Sequence, residues 1–256
     1  MTMLKKFAAD RLNVEVYDSR DAMGRAAAAA AGECLRKLLA EKETVNVIFA
    51  AAPSQNETLH YLTQEQGIDW SRVNAFHMDE YIGLPAGAPQ AFGNYLNEHI
   101  FSKVPFNNIY YIDAQATDAQ AECARYGALL REYPVDIVCL GIGENGHIAF
   151  NDPWVADFND PALVKPVPLD AVCRQQQVND GCFASVDQVP THALTLTIPA
   201  LASAGHLFCT VPAATKAWAV AQTVSTEVSE KIPATVMRNH VDATLYCDPD
   251  SGKEIL

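Results

Sequence analysis

The chain has 256 residues, a formal net charge of −13 and a hydrophobic fraction of 49%. That length suits one large α/β domain or two small ones, and that hydrophobic fraction is enough for a sizeable core. The acidity excludes the basic face that nucleic acid requires, but not a small anionic substrate, because a few local donors recognise a phosphate.

Strands and helices alternate along the chain. An alanine tract from Ala26 to Ala31 lies in a helical pattern, with Asp18 or Ser19 as its N-cap. Strands are predicted at 45–50, 73–78, 109–112 and 135–140, with helices at 57–65, 92–103 and 118–132 between them. Later strands are predicted at 194–198, 207–211 and 244–247, with a helix over 215–224. This alternation predicts parallel strands joined by helical crossovers on both faces of the sheet. No composition shift marks a boundary, so a single domain over 1–256 is expected. The stretch from Val155 to Asp187 is the least regular and reads either as a lid or as a passive surface excursion.

No apolar run approaches the roughly 18 residues needed to span a bilayer. The first seven residues lack the apolar core of a signal peptide. A cytoplasmic protein without a membrane partner is expected. The seven cysteines are scattered and never spaced as CxxC, which argues against a disulfide framework or a zinc site.

The richest segment is Leu140-Gly141-Ile142-Gly143-Glu144-Asn145-Gly146-His147-Ile148-Ala149-Phe150-Asn151-Asp152-Pro153. It follows the apolar run Val135–Leu140, which reads as a buried parallel strand. Gly141, Gly143 and Gly146 match GxGxxG, a loose motif. A dinucleotide site needs a long helix starting at the third glycine, and Asn151-Asp152-Pro153 closes the segment too soon. The alternative is chemistry at His147, since imidazole both accepts and donates protons near neutral pH. Asn145 and Asp152 are placed to fix its orientation. A purely structural histidine is the bland reading.

Three further strand-end loops stand out. Asp79 and Glu80 end the run at 73–78. One of them serves as a general base, or Asp79 caps a turn and Glu80 is solvated. The loop Ala50-Ala51-Ala52-Pro53-Ser54-Gln55 runs into a helix and forms either a phosphate cradle or an ordinary N-cap. Lys216, in the loop after 207–211, neutralises a phosphate or is simply solvated.

Three segments then resemble a known family: Met78-Asp79-Glu80-Tyr81-Ile82-Gly83-Leu84-Pro85, the glycine–histidine segment, and Val189-Pro190-Thr191-His192-Ala193-Leu194-Thr195. Together they look like the glucosamine-6-phosphate deaminase (isomerase) family, which is related to the 6-phosphogluconolactonases. The resemblance implies a single Rossmann-like α/β domain and a hexosamine phosphate that is isomerised and deaminated without cofactor or metal. A lactonase-like hydrolase and a non-catalytic sugar-phosphate sensor are the alternatives. By position, Asp79 matches the base that moves a proton between C2 and C1, His147 the ring-opening residue, and Lys216 the phosphate-binding lysine. His192 reads as structural.

The chain also departs from the family pattern. The family usually has aspartate where this chain has Asn145, and glutamate where it has Asp152. Glu144 is a candidate to restore the charge beside the imidazole, or else it points to solvent. The phosphate loop is Ala51-Ala52-Pro53-Ser54-Gln55 rather than glycine-rich, which leaves Ser54 and Gln55 as phosphate contacts. The family's phosphate arginine has no clear match, and Arg174 is the nearby substitute. The sequence leaves a homo-oligomer open.

Overall fold

Val45-Asn46-Val47-Ile48-Phe49 is predominantly apolar on both sides of the extended chain, and both sides are buried. Val47 and Phe49 face one apolar cluster and Ile48 the other. A strand of this kind belongs inside a sheet covered by helices on two faces. The computed structural model describes residues 2–256 and has that architecture.

The chain opens with β1 (Met3–Ala9) and β2 (Leu12–Tyr17), then α1 (Arg20–Glu41), β3 (Val45–Phe49) and α2 (Asn56–Leu62). Next come β4 (Val73–His77), β5 (Asp79–Tyr81), α3 (Phe92–Leu96), β6 (Asn108–Tyr110), α4 (Ala119–Glu132) and β7 (Ile137–Leu140). The second half holds β8 (Val164–Pro168), α5 (Ala171–Asn179), β9 (His192–Leu196), α6 (Ile198–Ala202), β10 (His206–Val211), α7 (Ala217–Ser225) and β11 (Ala243–Cys247). None of the described helices is long and apolar enough to cross a membrane.

The larger sheet has eight strands in the order β1-β2-β11-β10-β7-β3-β4-β6. All neighbours are parallel except the β1–β2 hairpin. From β3 the chain winds outward through β4 to β6, then returns to lay β7 on the other side of β3. The winding direction therefore reverses between β3 and β7. Ligands of open α/β sheets bind beyond the carboxyl ends of strands at such a reversal. A smaller antiparallel sheet, β5-β9-β8, lies beyond the end of β4.

Ser19 caps α1, its hydroxyl accepting from Ala22 N at 3.1 Å. Asp18 instead accepts from Thr2 N. Gly24 lets α1 approach α2 closely, since a Cβ there would lie 2.3 Å from the Glu57 Cβ. Three features depart from the sequence expectations. The opening hairpin was not foreseen, because β1 is largely exposed on both faces. The strand predicted at 194–198 is shifted to His192–Leu196, and Thr197 instead caps α6. The irregular stretch from Val155 to Asp187 contains β8 and α5, the latter capped by Asp170.

Candidate active site

His77, at the end of β4, is fully buried, and burial lowers its pKa to about 4. Neutral imidazole has one donor and one acceptor nitrogen. Ile112 N donates to Nε2 at 2.9 Å, so Nδ1 carries the proton and donates to the Asp79 carbonyl at 2.9 Å. The ring is a strut that fixes the backbone of Asp79. Pairing of Asp79 with Thr195 in the small sheet holds it from the other side.

The two adjacent acids then take different parts. Glu80 Oε1 accepts from Tyr81 N and Phe92 N, and Oε2 accepts from Gly93 N, all within 3.0 Å. It caps α3, so the expectation of a solvated Glu80 is corrected. The Asp79 carboxylate is almost buried and makes no hydrogen bond within the described residues. Burial, reinforced by the neighbouring Glu80 charge, raises its pKa well above the usual carboxylate range. A carboxylate held this way is a stronger base.

The turn after β7 is built around the imidazole of His147. Gly143 N donates to His147 O at 2.9 Å, and Gly146 has φ of 86°. A Cβ on Gly143 would fall 2.1–2.4 Å from three ring atoms of His147, so only glycine leaves room for the ring. No helix begins at Gly146. The chain instead doubles back through an Ile148–Asn151 bridge, which removes the dinucleotide reading.

His147 Nδ1 faces two acceptors, Asn145 Oδ1 at 2.7 Å and Asp152 Oδ1 at 3.0 Å. Asn145 Nδ2 in turn donates to Asp152 Oδ1 at 2.7 Å. Two acceptors at Nδ1 place the proton there and leave Nε2 with its lone pair. Burial pushes the Asp152 pKa up, but the hydrogen bond and electrostatic attraction from His147, with hydrogen bonds from Asn145 and Cys173, outweigh this and lower it. The carboxylate absent from position 145 is thus supplied by Asp152.

Asp79 and His147 line the same cavity, of about 340 Å³, which falls in the size range of small-molecule sites. It is also lined by Ala51–Ser54 after β3 and by Pro212, Ala213, Thr215 and Lys216 after β10. Lys216 is buried, with Nζ 3.8 Å from Asp180 Oδ2. Burial lowers its pKa, opposed by the charges of Asp180 and Glu144. Ala213 is held at φ 84° and ψ 146°, a region that favours glycine, and its N–H is turned toward the Asp248 carboxylate.

Three residues singled out in the sequence have partners elsewhere in the protein, although Gln55 also lines the cavity. Gln55 Nε2 donates to Leu140 O and Thr210 O, and its Oε1 accepts from Thr210 Oγ1, so it ties β7 and β10 to the loop after β3 while lining the cavity. The Arg174 guanidinium donates to Val186 O and Val189 O and does not line the cavity. Glu144 faces Asn179 at 3.5 Å rather than His147. Conversely, Arg20, Gln176, Gln177 and Asp180 line the cavity and were not anticipated. They come from a helix start and from α5 and its end, where no motif marks them. Among the described residues, no group of three or more His, Cys, Asp or Glu is placed to hold a metal ion.

Residues 18–160 match the family model described as glucosamine-6-phosphate isomerases/6-phosphogluconolactonase. A glucosamine-6-phosphate deaminase of Listeria monocytogenes serotype 4a (strain HCC23) is 36% identical over 208 residues, covering 81% of this chain and 87% of the relative. The enzyme of the same name from Streptococcus sanguinis (strain SK36) is 32% identical over 222 residues, covering 86% and 92%. Among solved structures, a monomeric glucosamine-6-phosphate deaminase superposes with a TM-score of 0.84 at 27% identity, covering 94% of this chain and 98% of that one. A 6-phosphogluconolactonase from Thermotoga maritima shares the fold, with a TM-score of 0.75 at 20% identity and coverage of 92% and 98%. With a family model spanning more than half of its length and these relatives along most of it, the chain belongs to the glucosamine-6-phosphate isomerase/6-phosphogluconolactonase family.

Proposed function

We propose that the protein converts glucosamine 6-phosphate, or its galactosamine epimer, to a ketohexose 6-phosphate and ammonia. The observation that carries this reading is the pairing of two groups in one cavity. Asp79 offers an unbonded carboxylate with a raised pKa, and His147 offers an Nε2 lone pair on a ring anchored through Nδ1. Their chemistry divides naturally. His147 Nε2 takes the proton of the anomeric hydroxyl and returns it to the ring oxygen, which opens the hemiacetal. Asp79 removes the proton at C2 of the open chain and delivers it to C1, while O1 gains a proton and the nitrogen gives one up, turning the 2-amino aldose into a 2-imino ketose. Water then adds at C2, and ammonia leaves.

Asn145 and Asp152 hold the imidazole in the required tautomer. Ser54 and Lys216, which line the same cavity, are assigned to the phosphate. A lactonase needs no proton transfer between carbons and gives Asp79 nothing to do. The relatives bearing the deaminase name support the same choice.

The test is turnover of glucosamine 6-phosphate in deuterated water. Ammonia release with deuterium entering the ketose at C1 is expected. Absence of both, with hydrolysis of 6-phosphogluconolactone in their place, would overturn the proposal.

A further inference from the structure

Two cationic side chains line the cavity, Lys216 and Arg20. Lys216 does not stand there as a free charge, because Asp180 lies 3.8 Å from its ammonium. A phosphate monoester carries close to two negative charges at neutral pH, about −1.5 to −2. One lysine beside an aspartate does not balance that charge.

Arg20 occupies the first turn of α1, directly after the Ser19 cap. The close crossing of α1 over α2 at Gly24 brings it against Glu57, with Nε 2.9 Å from Glu57 Oε1. Its Nη2 donates to Pro53 O, within the loop that lines the cavity after β3. Its Nε is buried without a well-directed hydrogen bond, and the same holds for Glu57 Oε2. Nη1 makes no hydrogen bond within the described residues. The guanidinium is thus anchored at one corner beside Ser54 and keeps donors in reserve. A planar fork of this kind matches phosphate oxygens in a way that an ammonium does not.

We infer that Arg20 is the second cation of the phosphate subsite, facing Lys216 across the ends of β3 and β10. This rests on the phosphate-ester reading given above. Arg174, the arginine the sequence offers, is bonded to two carbonyls outside the cavity. Glu57 is then the counter-acid that balances Arg20 when no phosphate is bound, as Asp180 is for Lys216. The subsite draws on three separate parts of the chain: the start of α1, the loop after β3 and the loop after β10.

The experiment uses glucitol 6-phosphate, an unreactive open-chain ester, with glucitol as its control, measured by calorimetry on the full chain. The parent protein should bind the ester and not glucitol. Arg20→Gln keeps a donor for Pro53 O but removes the charge, and should weaken ester binding about 10- to 100-fold. In turnover, KM for glucosamine 6-phosphate should rise with kcat nearly unchanged, and Arg20→Lys should recover part of the loss. Glu57→Gln supplies a test that does not touch Arg20, and removing this counter-acid should tighten the ester several-fold. If Lys216→Gln loses the ester while Arg20→Gln and Glu57→Gln bind it as the parent does, Arg20 only braces the loop and the inference falls. If the parent binds ester and glucitol equally, the phosphate reading falls first and takes this inference with it.

Discussion

Asp152 Oδ1 lies 3.0 Å from His147 Nδ1, and Asn145 is hydrogen-bonded to both. The carboxylate that orients the imidazole is therefore five residues beyond it, delivered by the tight turn at Ile148–Asn151. In the serine protease triad, replacing the corresponding aspartate by asparagine costs about 10⁴ in kcat because the imidazole loses its tautomer. Here Asn145 still accepts from Nδ1, so a somewhat smaller loss is expected. Asp152→Asn should lower kcat about 10²- to 10⁴-fold with little change in KM. Steady-state ammonia release measures it. A kcat within threefold of the parent would remove Asp152 from this role.

Asp79 carries its raised pKa at a cost to folding. The folded state holds the proton more tightly than the unfolded chain, whose carboxyl titrates near its ordinary value of 3.8. Stability therefore falls as pH rises from that value through the folded pKa, and stays low above it. Asp79→Asn removes the penalty. The variant should gain about 1–2 kcal/mol at pH 8, with the gain shrinking toward pH 4, while deuterium incorporation at C1 is abolished. Urea unfolding at both pH values checks the first part. A variant less stable than the parent at pH 8 would contradict this account of the carboxylate's surroundings.

The central strands were legible because β3, β4, β7 and β10 are apolar runs buried on both faces, a pattern little else produces. The hairpin was not, because Lys5 and Lys6 break the pattern of β1, although Leu12, Val14 and Val16 do alternate in β2. Strands β5 and β8 are short and exist through pairing with β9, which no local signal announces. In the site, Asp79, His147 and Lys216 were readable as residues at the ends of parallel strands. Glu144 and Arg174 point elsewhere, because nearness in sequence does not set direction in space. Arg20 enters from a crossing of helices that only the folded chain shows.

Gly143 gives a steric test of the imidazole's position. An added Cβ would overlap Cε1, Nε2 and Nδ1 of His147 at 2.1–2.4 Å, so the ring as a whole has to move. Gly143→Ala should cost about 1–3 kcal/mol of stability, as overpacking of a filled site does. It should also break the Nδ1 contacts and remove most of the activity. Denaturant unfolding and ammonia release report the two effects separately. Full activity in a stable Gly143→Ala protein would mean that the ring is not where the structure puts it.

Ala213 is a non-glycine residue in glycine's region of the backbone map, at φ 84°. Relief of such strain is worth about 1–3 kcal/mol, offset by about 0.4–1 kcal/mol from the freer unfolded chain that glycine brings. Ala213→Gly should therefore stabilise the protein, by up to about 2.5 kcal/mol, a difference that urea midpoints resolve. Destabilisation by more than 1 kcal/mol would show that the Ala213 methyl contributes packing that outweighs the strain.

In the phosphate-binding role proposed for it, Lys216 would tie substrate binding to pH. Burial holds its pKa below the usual lysine value of 10.5, with Asp180 and Glu144 acting the other way. Below its pKa the side chain is an ammonium and would attract the phosphate. As pH rises through that pKa the charge is lost, and with it the attraction. Because the pKa is depressed, the loss begins at a lower pH than for an exposed lysine. The plot of log(kcat/KM) should bend downward in the alkaline range, chiefly through KM, since the group binds rather than transfers protons. Arginine stays protonated throughout that range. Lys216→Arg should weaken binding at neutral pH, because a larger side chain enters a buried slot, yet it should lose the alkaline bend. Profiles for the two proteins, normalised at pH 7, decide the matter. If the bend persists unchanged in Lys216→Arg, it belongs to another group, and Lys216 does not set the affinity for phosphate.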